Sequence, residues 1–400
     1  MFCYQDRQLV LKQGKKILPL KNITQKEKTP FYLYDIQGIR EWYQFFLSAT
    51  QKQARVFFAM KSNFNKWVLK SLQKEGAGVD VVSGGEAQWA QDCGFPPQNI
   101  VFSGVGKTTE ELEMAVEQKF FQINVESFEE LKRLARICEE KKQTAPLALR
   151  ITPNIDFPSH PYIKTGLSGH KFGLEESELE EILRFIKQKS CFSLQGLSMH
   201  LGSQIFDLKP LLKAIGYLKS LYQKLKEEGW PLRVIDIGGG LGVNYQQEGL
   251  EEEKTTLKQF GKDLKKLFKN FEGQIITEPG RLLVARFGLL CATVEYIKKS
   301  PKKQFAILNS GMNHFLRPAL YSSQHRILAF KQNQPLQKYD VVGPICETGD
   351  SFAKACLLPE LKSGDFLAIA DTGAYGFVMA NSYNLQPPIR EVAFDQGRKL

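Results

Sequence analysis

Short apolar runs alternate with helical periods along most of this chain. Eight runs rich in apolar and β-branched residues lie between residues 55 and 280: RVFFAM, GVDVV, IVFSG, FQINV, LALRI, LQGLSMH, VIDIG and QIITE. Between two of them, residues 127–140 repeat apolar positions at helical spacing, and Ser127 and Glu130 have the spacing of a capping box. Residues 211–229 do the same and end at Gly229, a helix stop signal. The alternation predicts parallel strands joined by helical crossovers.

Eight such strand–helix units are the number that closes a TIM barrel. We therefore predict an α/β fold with a (β/α)8 barrel over residues 30–282, and a doubly wound open sheet is the alternative. From residue 283 the pattern changes, since LLCATVEYIKK, KQFAILNSG, QPLQKYDVVGPIC and DFLAIADTGAY follow without a long helical period between them. The pattern predicts a second, C-terminal β-barrel or β-sandwich domain of residues 283–400, joined by the strand-like residues 1–29.

Nearly every predicted strand ends in a residue able to do chemistry. The catalytic groups of a (β/α)8 barrel lie at the C-terminal ends of its strands. The residues found there are Lys61, Ser83, Gly84, Gly85, Glu86, Ser103, Asn124, Glu126, Arg150, His200, Gly238, Gly239, Gly240, Glu278 and Arg281. We therefore expect one site at this mouth of the barrel.

Composition narrows the class of protein. The net charge of +11 comes with acidic residues between most lysine clusters and no basic block interleaved with aromatic residues. This pattern favours a solvated lysine-rich surface over a nucleic-acid partner. No apolar stretch approaches the roughly 20 residues of a membrane helix, and the first residues lack the apolar core of a signal peptide. The seven cysteines are scattered and form no C-x-x-C pair, which predicts free thiols in the cytoplasm and no metal site.

Lys61 directly follows five apolar residues in VFFAMKSN. A lysine that emerges from a buried strand is poorly solvated, and desolvation lowers its pKa. A neutral amine is the form that binds an aldehyde covalently. The alternative is a lysine that only ends a strand in water.

A glycine-rich turn and a carboxylate follow the last two predicted strands. The amides of VIDIGGGLGV are free to approach an anion. The spacing also suits the nucleotide cofactor of a methyltransferase or Rossmann protein, but barrels often hold phosphate after strands seven and eight. Glu278, in ITEPGR, is explained on its own by an ion pair with Arg281. Together with Lys61, these groups suit pyridoxal 5′-phosphate, which needs an amine, a phosphate site and an acid at its ring nitrogen.

Other candidates surround these three groups. SMHLGSQ offers His200 as a flat partner for a pyridine ring and Ser203 as a phosphate donor, although a lone histidine is usually structural. GPICETGD offers the thiol of Cys346 as a proton donor and the carboxylate of Glu347 for an amine.

A substrate carboxylate also has candidate partners. MNHFLRPALY brings Arg317 and Tyr321 close together, and a guanidinium fork binds carboxylates in two places at once. Tyr375 lies in a glycine-flanked loop of the second domain. These residues would suit a small-molecule substrate that carries a carboxylate.

The motifs FAMKSN, DVVSGGE, HPYIKTGLSGHKFG, HLGSQ, DIGGGLG, EPGR, RPALY, CETGD and GAYGF, in this order, resemble those of the diaminopimelate decarboxylases. The resemblance covers about residues 30 to 385. It implies a pyridoxal-phosphate enzyme with an alanine-racemase-like barrel that acts as a homodimer with shared active sites. The implied reaction converts meso-2,6-diaminopimelate to L-lysine and carbon dioxide, the last step of lysine biosynthesis.

The resemblance also implies residue roles. The implied catalytic residues are Lys61, which binds the cofactor aldehyde, Glu278 at the ring nitrogen, His200, and Cys346 as proton donor from the partner subunit. Further implied cofactor contacts are Arg150, Ser203, Gly238, Gly239, Gly240, Pro279, Gly280, Arg281 and Tyr375. The implied substrate contacts are Arg281, Arg317, Tyr321, Glu347 and Tyr375.

Related activities are the alternatives. Ornithine- and arginine-type decarboxylases need an acidic pocket for a distant cation, whereas Arg317 beside Tyr321 favours a distant carboxylate. Carboxynorspermidine decarboxylase also acts on a carboxylated amine. A non-catalytic pyridoxal-phosphate-binding regulator is the alternative of another class, and the presence of Lys61, Cys346 and Glu278 argues against it.

Overall fold

The computed structural model describes residues 1–158, 165–166, 169–332 and 335–400, and the chain begins with a small antiparallel sheet. The first elements are strands β1 (Phe2–Gln5), β2 (Gln8–Gln13) and β3 (Lys16–Pro19), helix α1 (Leu20–Thr24), strand β4 (Phe31–Asp35) and helix α2 (Ile36–Ala49).

Eight parallel strands then close into a barrel, which confirms the predicted fold class. They are β5 (Ala54–Ala59), β6 (Gly78–Val81), β7 (Ile100–Phe102), β8 (Gln122–Val125), β9 (Ala145–Arg150), β10 (Phe192–Ser198), β11 (Val234–Asp236) and β12 (Gln274–Thr277). Each predicted apolar run overlaps one of these strands. The doubly wound alternative is wrong, because β12 pairs with β5 and leaves no open edge.

Helices connect the successive barrel strands. They are α3 (Lys66–Lys74), α4 (Gly84–Asp92), α5 (Thr109–Glu117), α6 (Phe128–Lys141), α7 (Leu179–Lys187), α8 (Leu208–Glu227) and α9 (Glu251–Leu267). The eighth helical position belongs to α2, which precedes β5 and packs between α9 and α3. Within the described ranges, no helix is both long and apolar enough to cross a lipid bilayer.

The structure confirms the predicted helix signals at Gly229 and Ser127, but not the capping box of Ser127 with Glu130. Gly229 follows the end of α8 at a φ of +89°, a left-handed conformation that glycine adopts without strain. Ser127 caps α6, since its side chain accepts from the Glu130 N–H at 3.2 Å. The Glu130 carboxylate does not complete a capping box, because it accepts from the Glu126 N–H and from the buried ammonium of Lys107 instead.

A nine-stranded mixed sheet forms the second, β-rich part of the described chain. The remaining elements are α10 (Arg281–Val284), β13 (Gly288–Lys299), β14 (Gln304–Leu308), α11 (Arg317–Tyr321), β15 (Ile327–Ala329), β16 (Leu336–Val342), β17 (Ser351–Pro359), β18 (Phe366–Ile369), β19 (Arg390–Asp395) and β20 (Arg398–Lys399). Strand β4 belongs to this sheet and not to the barrel, since it pairs with β13 and β19.

Burial on both faces explains why the barrel strands read as continuous apolar runs. Val56, Phe57 and Phe58 of β5 are all at most 1% exposed, because one face fills the barrel interior and the other meets helices. Burying each phenylalanine stabilises the fold by about 1.5–3 kcal/mol relative to leaving it exposed. Lys61 follows this rigid strand within two residues of its end, so the backbone that carries its amine is well anchored.

Candidate active site

A cavity lies at the C-terminal mouth of the barrel. Its walls come from the ends of β5, β10, β11 and β12 and from the second sheet domain. The candidates that line it are Lys61, His200, Ser203, Gly238, Gly239, Gly240, Glu278, Pro279, Gly280, Arg281 and Tyr375. The structure thus brings together residues that lie up to about 300 positions apart in the sequence.

The amine of Lys61 lies 3.1 Å from a carboxylate oxygen of Asp80, which is fully buried in β6. Burial alone lowers the pKa of Lys61, but Asp80, Tyr375 and Glu278 together raise it above its usual value. The expected lowered pKa is therefore wrong, because Asp80 and the other two acidic groups together outweigh desolvation. Asp80 was missed by the sequence analysis, although a carboxylate inside the apolar run GVDVV was a usable signal.

Glu278 forms a buried pair with Asp236, the last residue of β11. Burial raises the pKa of Glu278 well above its usual value, and the negative charge of Asp236 raises it further. Burial likewise raises the pKa of Asp236 to about 6. Two carboxylates this close hold a proton between them at neutral pH.

The second oxygen of Glu278 is the clearest chemical signal in the cavity. Oε1 is buried and has no hydrogen-bond partner in the described part of the chain. The expected ion pair with Arg281 does not form there, because Arg281 donates to Ser203 and Tyr245 instead. A buried polar atom without a partner costs about 1–3 kcal/mol, which a bound donor would offset.

Each glycine of the loop after β11 packs closely against a neighbouring stretch of backbone. A Cβ added to Gly238, Gly239 or Gly240 would lie 2.3, 2.3 or 2.2 Å from a carbonyl oxygen. Gly238 and Gly240 also have φ values of +64° and +112°. The loop can therefore reach the cavity only as glycine. Because it follows a closed-barrel strand, the Rossmann and methyltransferase alternative is wrong.

His200 is held beside this loop as a neutral ring. Burial lowers the pKa of His200 well below its usual value, and the charges of Lys61 and Arg150 lower it further. Its Nδ1 accepts weakly from the Gly239 N–H at 3.4 Å. Arg150 itself does not line the cavity, because its guanidinium pairs with Glu126 at 2.6 Å.

Arg281 connects the barrel to the second domain. Its guanidinium donates to Ser203 Oγ at 3.0 Å and to the Tyr245 hydroxyl at 2.7 Å. It also lies 4.7 Å above the ring of Tyr375, within the range of a cation–π contact. Tyr245 was missed by the sequence analysis, since a single tyrosine in NYQQ gives no chemical signal.

Arg317 and Tyr321 line a neighbouring cavity of about 840 Å³ together with Tyr245. The Arg317 guanidinium carbon lies 5.4 Å from the ring centre of Tyr245 and 5.5 Å from that of Tyr321. Arg317 is only 4% exposed, and its Nε lacks a hydrogen-bond partner among the described residues. The arrangement leaves a buried guanidinium edge suited to an anion.

Cys346 and Glu347 line neither cavity and lie on an exposed loop between β16 and β17. The Cys346 N–H donates to Asn384, and the Tyr383 hydroxyl donates to Glu347. The structure of one chain does not bring them to Lys61, so their role at a partner's site stays a prediction. Of the motif HPYIKTGLSGHKFG, residues 160–164 and 167–168 lie outside the described residues.

Comparisons with known proteins identify the family. The model of the pyridoxal-dependent decarboxylase pyridoxal binding domain matches residues 37–285. Diaminopimelate decarboxylase of Aquifex aeolicus is 37% identical over 98% of this chain and 92% of its own, and that of Helicobacter pylori strain J99 is 40% identical over 94% and 93%. The crystal structure of the Helicobacter pylori enzyme complexed with L-lysine matches with a TM-score of 0.90 at 38% identity over 95% of both chains. The chain therefore belongs to the diaminopimelate decarboxylase family of pyridoxal-dependent decarboxylases.

Proposed function

We propose that this protein decarboxylates meso-2,6-diaminopimelate to L-lysine and carbon dioxide, as a homodimer in the cytoplasm whose subunits share each active site. The observation that carries the proposal is the cavity that gathers the Lys61 amine, the Glu278 carboxyl and the glycine loop at one barrel mouth. The substrate named for the relatives, at 36–40% identity over nearly the whole chain, supports the choice of diaminopimelate.

The cavity lining fits pyridoxal 5′-phosphate. Lys61 would bind its aldehyde, the Gly238–Gly240 loop and Ser203 its phosphate, and Glu278 its ring nitrogen. The observation behind this fit is the buried Oε1 of Glu278, which has no hydrogen-bond partner among the residues that the structure describes. When bound, the cofactor supplies an electron sink for the electron pair left as carbon dioxide departs.

The residues around the cavity determine which groups there carry a proton. Asp80 holds the Lys61 ammonium at 3.1 Å, so a charged Lys61 is available as a proton source at Nζ. Asp236 keeps a proton on or near Glu278, where it faces the cavity. His200 stays neutral and offers its flat face without adding a third positive charge near Arg150 and Lys61.

Two arginines would bind the far carboxylate of the substrate. The guanidinium of Arg281 contacts the Tyr245 hydroxyl and that of Arg317 lies beside the Tyr245 ring, and both are buried, which strengthens their attraction to a carboxylate. The far end of diaminopimelate carries a carboxylate and an amine. We assign the carboxylate to the arginines and the amine to Glu347 of a second subunit, with the exposed Cys346 beside it as proton donor.

One assay tests the proposal. Purified protein with bound cofactor is given meso-diaminopimelate, ornithine or carboxynorspermidine, and carbon dioxide release is measured. We expect kcat/KM for diaminopimelate to exceed the others by about 100-fold or more, because burying an unpaired arginine costs the wrong substrates several kcal/mol. Lys61→Ala should lose both release and the visible absorbance of bound cofactor. Faster release from carboxynorspermidine would refute the substrate, and no release from any of them would indicate a regulator.

A further inference from the structure

A stack of two rings connects the arginines proposed for the substrate. The imidazole of His325 lies on the ring of Tyr245, with 4.2 Å between ring centres and 26° between planes. The Tyr245 hydroxyl also accepts a hydrogen bond from Arg281, and the Tyr245 ring lies beside the guanidinium of Arg317. We call His325 and Tyr245 the ring stack. A single tyrosine in this stack therefore contacts both guanidinium groups.

Contacts with Ala370 and Phe315 hold the ring of His325 in place. His325 is 4% exposed, and its Nδ1 lies 2.9 Å from the Ala370 carbonyl, which only accepts, so Nδ1 carries the proton. The edge of Phe315 meets the same ring at 4.8 Å and 84°. The fold thus fixes the imidazole before any ligand binds.

The same ring is kept uncharged. Burial, followed by the charge of Arg317, lowers the pKa of His325 to about 3. A protonated ring would add a third cation beside Arg281 and Arg317. The neutral ring can stack on Tyr245 without repelling either arginine.

Arg281 and Arg317 depend on Tyr245 to different degrees. Arg281 also contacts Ser203 and Tyr375, whereas the Arg317 guanidinium lies beside the rings of Tyr245 and Tyr321. Tyr245 is thus the contact that the two arginines share. A guanidinium binds a carboxylate in two places only when its plane is fixed.

We propose that Tyr245, held by His325, sets the spacing of Arg281 and Arg317 and so selects substrates with a carboxylate at the far end. This inference rests on the proposed function. Both members of the ring stack are positioning residues that act through the arginines. If they were only part of the core, their loss would weaken every ligand equally, by loosening the fold.

L-Lysine and cadaverine separate these two roles, because they differ only in the carboxylate. Their dissociation constants are measured by titrating the visible absorbance of the cofactor in holoenzyme. In Tyr245→Phe we expect the affinity for L-lysine to fall by about tenfold, since Arg281 loses an acceptor, while that for cadaverine changes by less than about twofold. Tyr222→Phe is the matched control, because it removes a buried hydroxyl that bonds to Leu232 on α8's side of the barrel.

Two variants at His325 test the stacking. His325→Phe keeps a ring and should preserve the ratio of the two affinities. His325→Asn keeps a donor for Ala370 but removes the ring, and it should lower the ratio and raise KM for diaminopimelate more than it changes kcat. Melting temperatures are measured in parallel, and if His325→Asn does not fold, Tyr245→Phe decides the question.

The outcomes separate failure of the positioning role from failure of the proposed function. Equal weakening of both ligands in Tyr245→Phe, or no weakening of either, would overturn the positioning role. A wild-type protein that binds L-lysine no more tightly than cadaverine, and releases no carbon dioxide from diaminopimelate, would instead overturn the proposed function.

Discussion

Asp80 and Lys61 show how one buried carboxylate changes the chemistry of an amine. The Asp80 side chain is fully buried and 3.1 Å from the amine, so its charge acts with little screening by solvent. Sequence alone marks Lys61 as a reactive residue but gives the wrong direction for its pKa, because the counter-charge comes from a neighbouring strand. Only the pairing of β5 with β6 brings the two residues together.

We predict that Asp80→Asn lowers the pKa of Lys61. Removing one negative charge next to an ammonium favours its neutral form, and an opposite charge at this distance is worth about 1 to 3 pH units. The rate at which cofactor-free protein captures pyridoxal phosphate should therefore reach half its maximum at a lower pH by about that amount. Asp92→Asn, on the exposed face of α4, is the control. An unchanged midpoint in Asp80→Asn would contradict the assignment.

We also predict opposite effects of Glu278→Gln on stability and on activity. A carboxyl with a raised pKa holds its proton longer in the folded state, so wild-type stability falls as pH rises from about 4 towards the raised pKa. The glutamine has no such loss, so its cofactor-free form should melt at a higher temperature than wild type at pH 8, with little difference at pH 4. Turnover with bound cofactor should fall by about 100-fold or more, because the ring nitrogen loses its acid. Wild-type turnover would rule out this role.

At the scale of elements, the positions of the barrel strands could be predicted from the sequence, whereas the pairing of strands in the second sheet could not. Burial on both faces makes each barrel strand a continuous apolar run, which marks its position without any knowledge of its neighbours. Strand β4 has the same kind of run, FYLYD, but its partners β13 and β19 lie more than 250 positions away. Local pattern does not encode such pairing.

The glycine loop gives a prediction at this scale. Gly239→Ala places a Cβ 2.3 Å from the Glu278 carbonyl, so either the loop or the end of β12 must shift. We expect a loss of about 1–3 kcal/mol in the free energy of unfolding and a weaker affinity for the cofactor, measured by denaturation and by absorbance titration. Gly106→Ala is the control, since no atom lies within 4 Å of its added Cβ. Equal behaviour of the two variants would contradict the close packing of the loop.

At the scale of the whole molecule, the site proposed here is incomplete in one chain. Lys61 lies in the barrel cavity, whereas Cys346 and Glu347 are exposed elsewhere. The resemblance to known motifs predicted both sets, but neither pattern nor spacing says which subunit supplies each residue. Residues that complete the active site of a second subunit follow no periodic pattern, so the pattern of the sequence does not identify them.

Mixing two inactive variants tests the shared site. Lys61→Ala and Cys346→Ala each damage every site of their own homodimer. A mixed dimer has one site with both changes and one with neither, so random exchange of subunits should restore about a quarter of wild-type activity. Activity is measured after unfolding and refolding the mixture, and each variant refolded alone is the control. A mixture no more active than its components would refute sharing.

The pairing of β4 with β19 also has a consequence for biosynthesis. Residues 31–35 leave the ribosome early, yet the strand that flanks them is translated some 350 codons later. Until then one edge of β4, with its four apolar residues Phe31–Tyr34, stays unpaired and accessible to chaperones or to another nascent chain. The barrel can close first, but the sheet that bears Tyr375 and Arg317 is complete only after β19 has been made, so a product truncated before residue 390 is expected to lack a working catalyst.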